Sequence, residues 1–134
     1  MPLMKIHVIK GRSSDQLKRL LDTVHDVMVS AFKVPQRDLY QILSEHEASH
    51  LRALDTGLDI PRTDAFVLLE VVTRPRSQQE KLGFYSLLSE ELERVCGIAP
   101  SDVMVSVTQN TDDDWSFGSG RAQFVTGELK TVEK

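Results

Sequence analysis

Cysteine is nearly absent from this chain: Cys96 is the single one in 134 residues. No internal disulfide can form, and a reducing cytoplasm suits such a sequence. A free cysteine usually packs as a small hydrophobe, so Cys96 is expected in the core at a helix end. An excess of positive charge is also missing. Sixteen Lys and Arg stand against 20 Asp and Glu, a net charge of −4, which argues against nucleic acid or an anionic membrane as partner. A small anionic substrate stays open, because a local cluster of arginines can hold an anion on an acidic protein. The N-terminus lacks the long apolar region of a signal peptide, and no apolar run is long enough to cross a membrane. What these absences leave is one cytoplasmic domain with an ordinary 40% hydrophobic content.

The start of the chain carries the first positive signal. A small cyclic residue follows Met1, so methionine aminopeptidases are expected to remove Met1 and leave Pro2 with a free secondary amine. The alternative reading of Pro2 is a residue that simply suits the edge of a strand.

A repeat lies in the middle of the chain. Leu3 to Lys10 alternates as a strand, with Met4, Ile6 and Val8 on one face. Ser13-Ser14-Asp15-Gln16 reads as a helix-capping box. Leu17, Leu20, Leu21, Val24, Val27, Met28 and Ala31 form the apolar stripe of the helix that follows. The helix should fade near Phe32, ahead of Val34-Pro35, and Leu39 to Leu43 reads as a second strand. The same order returns 64 positions later. Ala65 to Thr73 is an apolar strand, Ser77-Gln78-Gln79-Glu80 a second capping box, and Phe84, Tyr85, Leu88, Leu92 and Val95 a second stripe. Val103 to Val107 supplies a fourth strand, Asp102 echoes Asp38, and Arg76 echoes Arg12.

The repeat predicts an α/β domain of two pseudo-repeated βαβ units, about 2–45 and 65–109, followed by a C-terminal segment 110–134. Each unit pairs parallel strands through a right-handed crossover. Together they make a four-stranded mixed sheet with both helices on one face. The bare face of that sheet calls for self-association. If a local two-fold axis relates the halves, the first and third strands are antiparallel neighbours. Pro2 then faces Thr73-Arg74-Pro75-Arg76, where a helix begins, a place suited to anions.

These residues carry a family resemblance. The opening PLMKIHVIKGRSSDQ resembles the tautomerase superfamily, built on βαβ units with an N-terminal catalytic proline. VPQRDLYQI, DTGLDIPRT, VVTRPRS and DWSFGSGRAQFVTGEL are similar to the malonate semialdehyde decarboxylase family within it. The resemblance implies a homotrimer with sites near the subunit boundaries. By it, Pro2 matches the catalytic proline, Arg74 and Arg76 the paired carboxylate-binding arginines, and Asp38 an acidic active-site residue. Trp115, Phe117, Phe124 and Leu129 match a hydrophobic wall. Arg12 matches a substrate arginine of the smaller members, although its echo of Arg76 equally fits a structural role. Where cis-type chloroacrylate dehalogenases place a histidine in the first helix, this chain has Val29, which counts against dehalogenation.

The expected chemistry is cofactor-independent decarboxylation of malonate semialdehyde or a similar short 3-oxo acid. Pro2 supplies the electron sink, and the arginines hold the carboxylate. A promiscuous keto-enol tautomerase, a hydratase of acetylenic acids and a non-catalytic ligand-binding oligomer are the alternatives. Asp38 and its echo Asp102 also fit turn-forming roles, and Trp115 and Phe117 also fit a core or subunit contact. His46-Glu47-Ala48-Ser49-His50 fits the H-E-x-x-H pattern of zinc proteases, but it follows a strand directly and joins the two halves, so no metal is expected. His7 alternates outward on its strand and His25 falls on a polar helix face; neither spacing demands a role.

Overall fold

The computed structural model describes residues 1–129; the last five residues of the C-terminal segment expected at 110–134 lie outside the described residues. The first half is β1 (Leu3–Ile9), α1 (Ser14–Phe32) and β2 (Gln41–His46), and the second is β3 (Val67–Thr73), α2 (Gln78–Cys96) and β4 (Val103–Gln109). A short helix α3 (Gln123–Thr126) follows. The sheet order is β2-β1-β3-β4, with parallel outer pairs and an antiparallel centre.

Local chemistry explains the helix limits. In α1 the Ser13 hydroxyl accepts from Gln16 N (3.2 Å), while Ser13 N donates to the Gln16 side chain (2.8 Å). Ser77 and Glu80 do the same for α2, at 3.0 Å in both directions. Each reciprocal pair satisfies two backbone donors that a helix start leaves open. Both helices end in a left-handed residue, Lys33 (φ 55°) and Gly97 (φ 69°). Glycine adopts that conformation without steric cost, whereas lysine does not.

The first strands, the helices and the caps of the two halves are 64 positions apart. The repeat slips only before the second strand of each half. Met4 pairs with Gln41, and its counterpart Leu68 pairs with Met104, so these partners are 63 apart. Asp38 and Asp102 keep the 64-residue spacing, so the first half has one more residue between its aspartate and its strand. Residues 39 and 40 are consequently not the strand start expected from Leu39–Leu43: Leu39 is 53% and Tyr40 is 40% exposed.

Met4, Ile6 and Val8 of β1 and Val67, Leu69 and Val71 of β3 are buried beneath α1 and α2. Phe32 and Phe84 stack between the helices, with ring centroids 4.9 Å apart. A fully buried leucine such as Leu88 contributes roughly 1.5–3 kcal/mol through removal from water. Cys96 closes α2 as expected, packed against this core with its Sγ 3.8 Å from the Thr23 hydroxyl. His25 departs from its expected polar face. It is buried, and its Nε2 contacts the Gln36 carbonyl at 2.9 Å.

Among the described residues, no helix covers the opposite face of the sheet. Ile42 and Met104 are 51% and 42% exposed there. His7 joins this face to both neighbouring strands, with Nδ1 3.0 Å from His46 Nε2 and Nε2 2.7 Å from Glu70.

Candidate active site

The antiparallel pairing of β1 with β3 sets Leu3 opposite Val72. Pro2, the buried residue before β1, therefore adjoins the end of β3 and the Thr73–Arg76 segment. A cleft of about 510 Å³ opens at this end of the sheet. Met1, Pro35, Arg37, Asp38 and Tyr40 line one side, and Phe117, Gln123, Glu128 and Leu129 the other. Asp38 reaches it on a turn in which its N–H donates to the Pro35 carbonyl (3.0 Å), and it is 5% exposed.

The aromatic residues form a continuous stack. Trp115 lies parallel to Phe117 at 5.6 Å, and Phe124 meets Phe117 edge-on at 5.5 Å. Trp115 Nε1 donates to Asn110 Oδ1 at 2.7 Å, so the indole's polar edge is satisfied and its face is left for packing. Gln123 fixes the loop by accepting from Phe117 N and donating to the Gly118 carbonyl. Gly118 sits at φ 127°, a conformation that excludes most side chains. Arg121 clamps Glu128 through two hydrogen bonds of 3.0 and 2.9 Å. Those bonds, with help from Thr126, hold the Glu128 carboxyl below its ordinary range.

The two arginines differ in setting. The Arg74 guanidinium carbon lies over Phe124, 4.1 Å from the ring centroid, and its Nε donates to Asp112 at 2.7 Å. Arg76 is turned inward and is 6% exposed. Its Nε donates to the Thr73 hydroxyl (3.0 Å), and its Nη1 donates to the Phe32 carbonyl (3.2 Å). Arg76 thus places a cation at the C-terminus of α1, where exposed carbonyls favour positive charge, directly behind the start of α2.

The aromatic stack links the cleft containing Asp38 to Arg74, with Pro2 at the start of β1 and Arg76 behind. Arg12 lies elsewhere. It follows β1 at the far end of that strand, and its Nη2 donates to the Ala65 carbonyl (2.7 Å); burial lowers its pKa. The H-E-x-x-H pattern is split: His46 ends β2, and residues 47–50 form a turn in which Glu47 pairs with Lys10. Sequence reading missed Arg37, Tyr40, Gln123 and Glu128 as lining residues. Arg37 and Tyr40 flank Asp38 in VPQRDLYQI, so adjacency was the available signal. The Asp112 partnership had no such signal, because 38 residues separate it from Arg74.

Family models described as tautomerase enzymes match residues 38–118 and 2–59. Probable tautomerase YrdN of Bacillus subtilis (strain 168) is 50% identical over 96% of this chain and 100% of its own length. Probable tautomerase YusQ of the same strain is 31% identical over 93% and 99%. Among solved structures, one of malonate semialdehyde decarboxylase, described with decarboxylase and hydratase activities, superposes with a TM-score of 0.94. It is 50% identical, covering 96% of this chain and 99% of that one. FG41 malonate semialdehyde decarboxylase inhibited by 3-bromopropiolate gives a TM-score of 0.91 at 39% identity, over 95% and 97%.

Proposed function

The chain belongs to the tautomerase family, and we propose that it decarboxylates malonate semialdehyde or a similar short 3-oxo acid without a cofactor. The observation that carries this reading is one end of the sheet where a cleft at the chain start holds Asp38 and Phe117, and Phe124, packed on Phe117, carries Arg74. Its likeness to the malonate semialdehyde decarboxylases, at 50% and 39% identity, supports the choice of substrate.

In the proposed reaction Met1 has been removed and Pro2 presents its amine. The bond between the α-carbon and the carboxyl carbon breaks, carbon dioxide leaves, and the electron pair moves toward the adjacent carbonyl. Protonated Pro2 stabilises that oxygen by a hydrogen bond, or the neutral amine first forms an iminium ion with loss of water. Protonation at the α-carbon completes acetaldehyde, directly or after the iminium is hydrolysed. An unperturbed α-amine has a pKa of about 8. The arginines favour neutral Pro2 and Asp38 favours the charged form.

Arg74 and Arg76 orient the carboxylate, although tight ion pairing alone stabilises the ground state and slows loss of carbon dioxide. The wall of Trp115, Phe117, Phe124 and Leu129 offsets this by keeping the departing group poorly solvated. The uncovered sheet face with Ile42 and Met104 supports assembly as a homotrimer. Steady-state kinetics on malonate semialdehyde test this division of labour. Arg74→Ala should raise KM, and Trp115→Ala should lower kcat by about tenfold with KM little changed. The reverse pattern would defeat it. Keto-enol tautomerisation is the second reading, favoured by the names of YrdN and YusQ; proton exchange on an enol substrate without carbon dioxide release would select it.

A further inference from the structure

The residue directly after the first strand of each half reaches a carboxylate beyond the second strand of that half. In the first half this is Lys10 with Glu47, a pair whose side chains are 59% and 57% exposed. In the second half it is Arg74 with Asp112, and there the Arg74 side chain is only 13% exposed. The fold therefore tolerates a loose surface pair at this place, yet the second half has a planar cation held on two sides. Asp112 takes Nε–H at 2.7 Å, and the guanidinium carbon sits over the Phe124 ring, 4.1 Å from its centroid.

Asp112 belongs to a run of three aspartates in a tight turn. Asp113 and Asp114 both accept from Thr111, at 2.6 to 2.9 Å, and so hold the turn in shape. Asp112 is the member of the run that meets Arg74. A guanidinium recognises a carboxylate best in one plane, through parallel N–H bonds. Fixing the Nε edge and the ring face sets that plane before a substrate arrives.

We propose that Asp112 is a positioning residue: it fixes the plane in which Arg74 meets the substrate carboxylate. This rests on the reading of Arg74 as a carboxylate-binding group. Asp112 is 47% exposed, and half-exposed ion pairs add little to stability, so its removal should leave the fold intact.

The test compares Asp112→Ala and Asp112→Asn with the unaltered protein. KM and kcat are read with malonate semialdehyde, and Kd with unreactive malonate by calorimetry. Asn keeps an acceptor for Nε–H while removing the charge. Asp112→Ala should raise KM and Kd by about tenfold, with kcat within about twofold, and Asp112→Asn should stay within about threefold of the unaltered protein. Unchanged or lowered KM and Kd in Asp112→Ala would overturn the proposal, as would Asn failing as badly as Ala. If the unaltered protein binds malonate but produces no acetaldehyde, the decarboxylase reading falls while the Kd ratio still decides on Asp112. If it binds no malonate at all, both fall.

Discussion

At one end of the sheet Pro2 precedes β1; at the other Phe66 precedes β3, 64 positions later. Around Phe66 the groups that echo the candidate site are committed to peptide. Arg12 holds the Ala65 carbonyl, Asp102 accepts from both the N–H and the hydroxyl of Thr63, and Arg62 covers the Phe66 ring at 5.2 Å. Around Pro2 the equivalent Asp38 borders a cleft, and the C-terminal segment supplies aromatic residues in place of the segment that joins the two halves. The duplicated frame builds two similar ends, and in the proposed reaction only the first presents a free amine, that of Pro2. A peptide nitrogen in mid-chain is neither basic nor nucleophilic, so the second end is available for structural work.

The largest contrast should appear at the first residue beyond each leading strand. Arg74→Ala is expected to raise KM for malonate semialdehyde by about 10- to 100-fold, the range of a lost charge-assisted hydrogen bond. Lys10→Ala, which breaks an exposed pair, should change neither KM nor the melting temperature measurably. Equal effects from the two would erase the functional distinction between the ends.

The aspartates should divide in the other sense. Asp102 is 1% exposed, and its replacement by Ala removes the acceptor of both the N–H and the hydroxyl of Thr63. That should cost about 2 kcal/mol, read as a lower midpoint in urea unfolding with little change in kcat per folded molecule. Asp38→Asn, nearly isosteric, should reduce kcat more than stability. A variant pair with these effects exchanged would show that the cleft end is the structural one.

A smaller effect concerns the segment that closes the cleft. Arg121 depresses the Glu128 carboxyl, so the clamp's contribution is present above the ordinary carboxylate range, about 4.3. It is lost as pH falls through the lower folded-state value. Amide exchange at residues 121–128 should quicken modestly in acid, and Glu128→Gln should remove that pH dependence. The same acidification should leave β1 and β3 protected; simultaneous loss there would indicate global unfolding instead.

Most of the frame was legible in the sequence, because capping boxes and apolar periods are local signals. Ser13 with Gln16 and Ser77 with Glu80 marked both helix starts, and the repeat placed β1 beside β3. The one-residue slip ahead of β2 was not legible, since it depends on strand register across the sheet. His25 was misplaced because its period suggested solvent, whereas the turn carrying Gln36 folds back over it. Pro2 and the arginine pair stood out in the sequence by position and charge, whereas the lining of the cleft itself comes from Asp38, its neighbours and the C-terminal segment. The Asp112 contact and the inward turn of Arg76 are tertiary outcomes, fixed by Phe124, Thr73 and the end of α1.

The most direct measurement is proton NMR of malonate semialdehyde mixed with the purified protein, whose loss of Met1 has been checked by mass spectrometry. It is run beside Pro2→Ala at matched concentration. Rapid formation of acetaldehyde by the unaltered protein, reduced by at least about 100-fold in Pro2→Ala, is the expected result. Acetaldehyde formed equally fast by both proteins would contradict a reaction centred on Pro2, and none from either would contradict the decarboxylase itself.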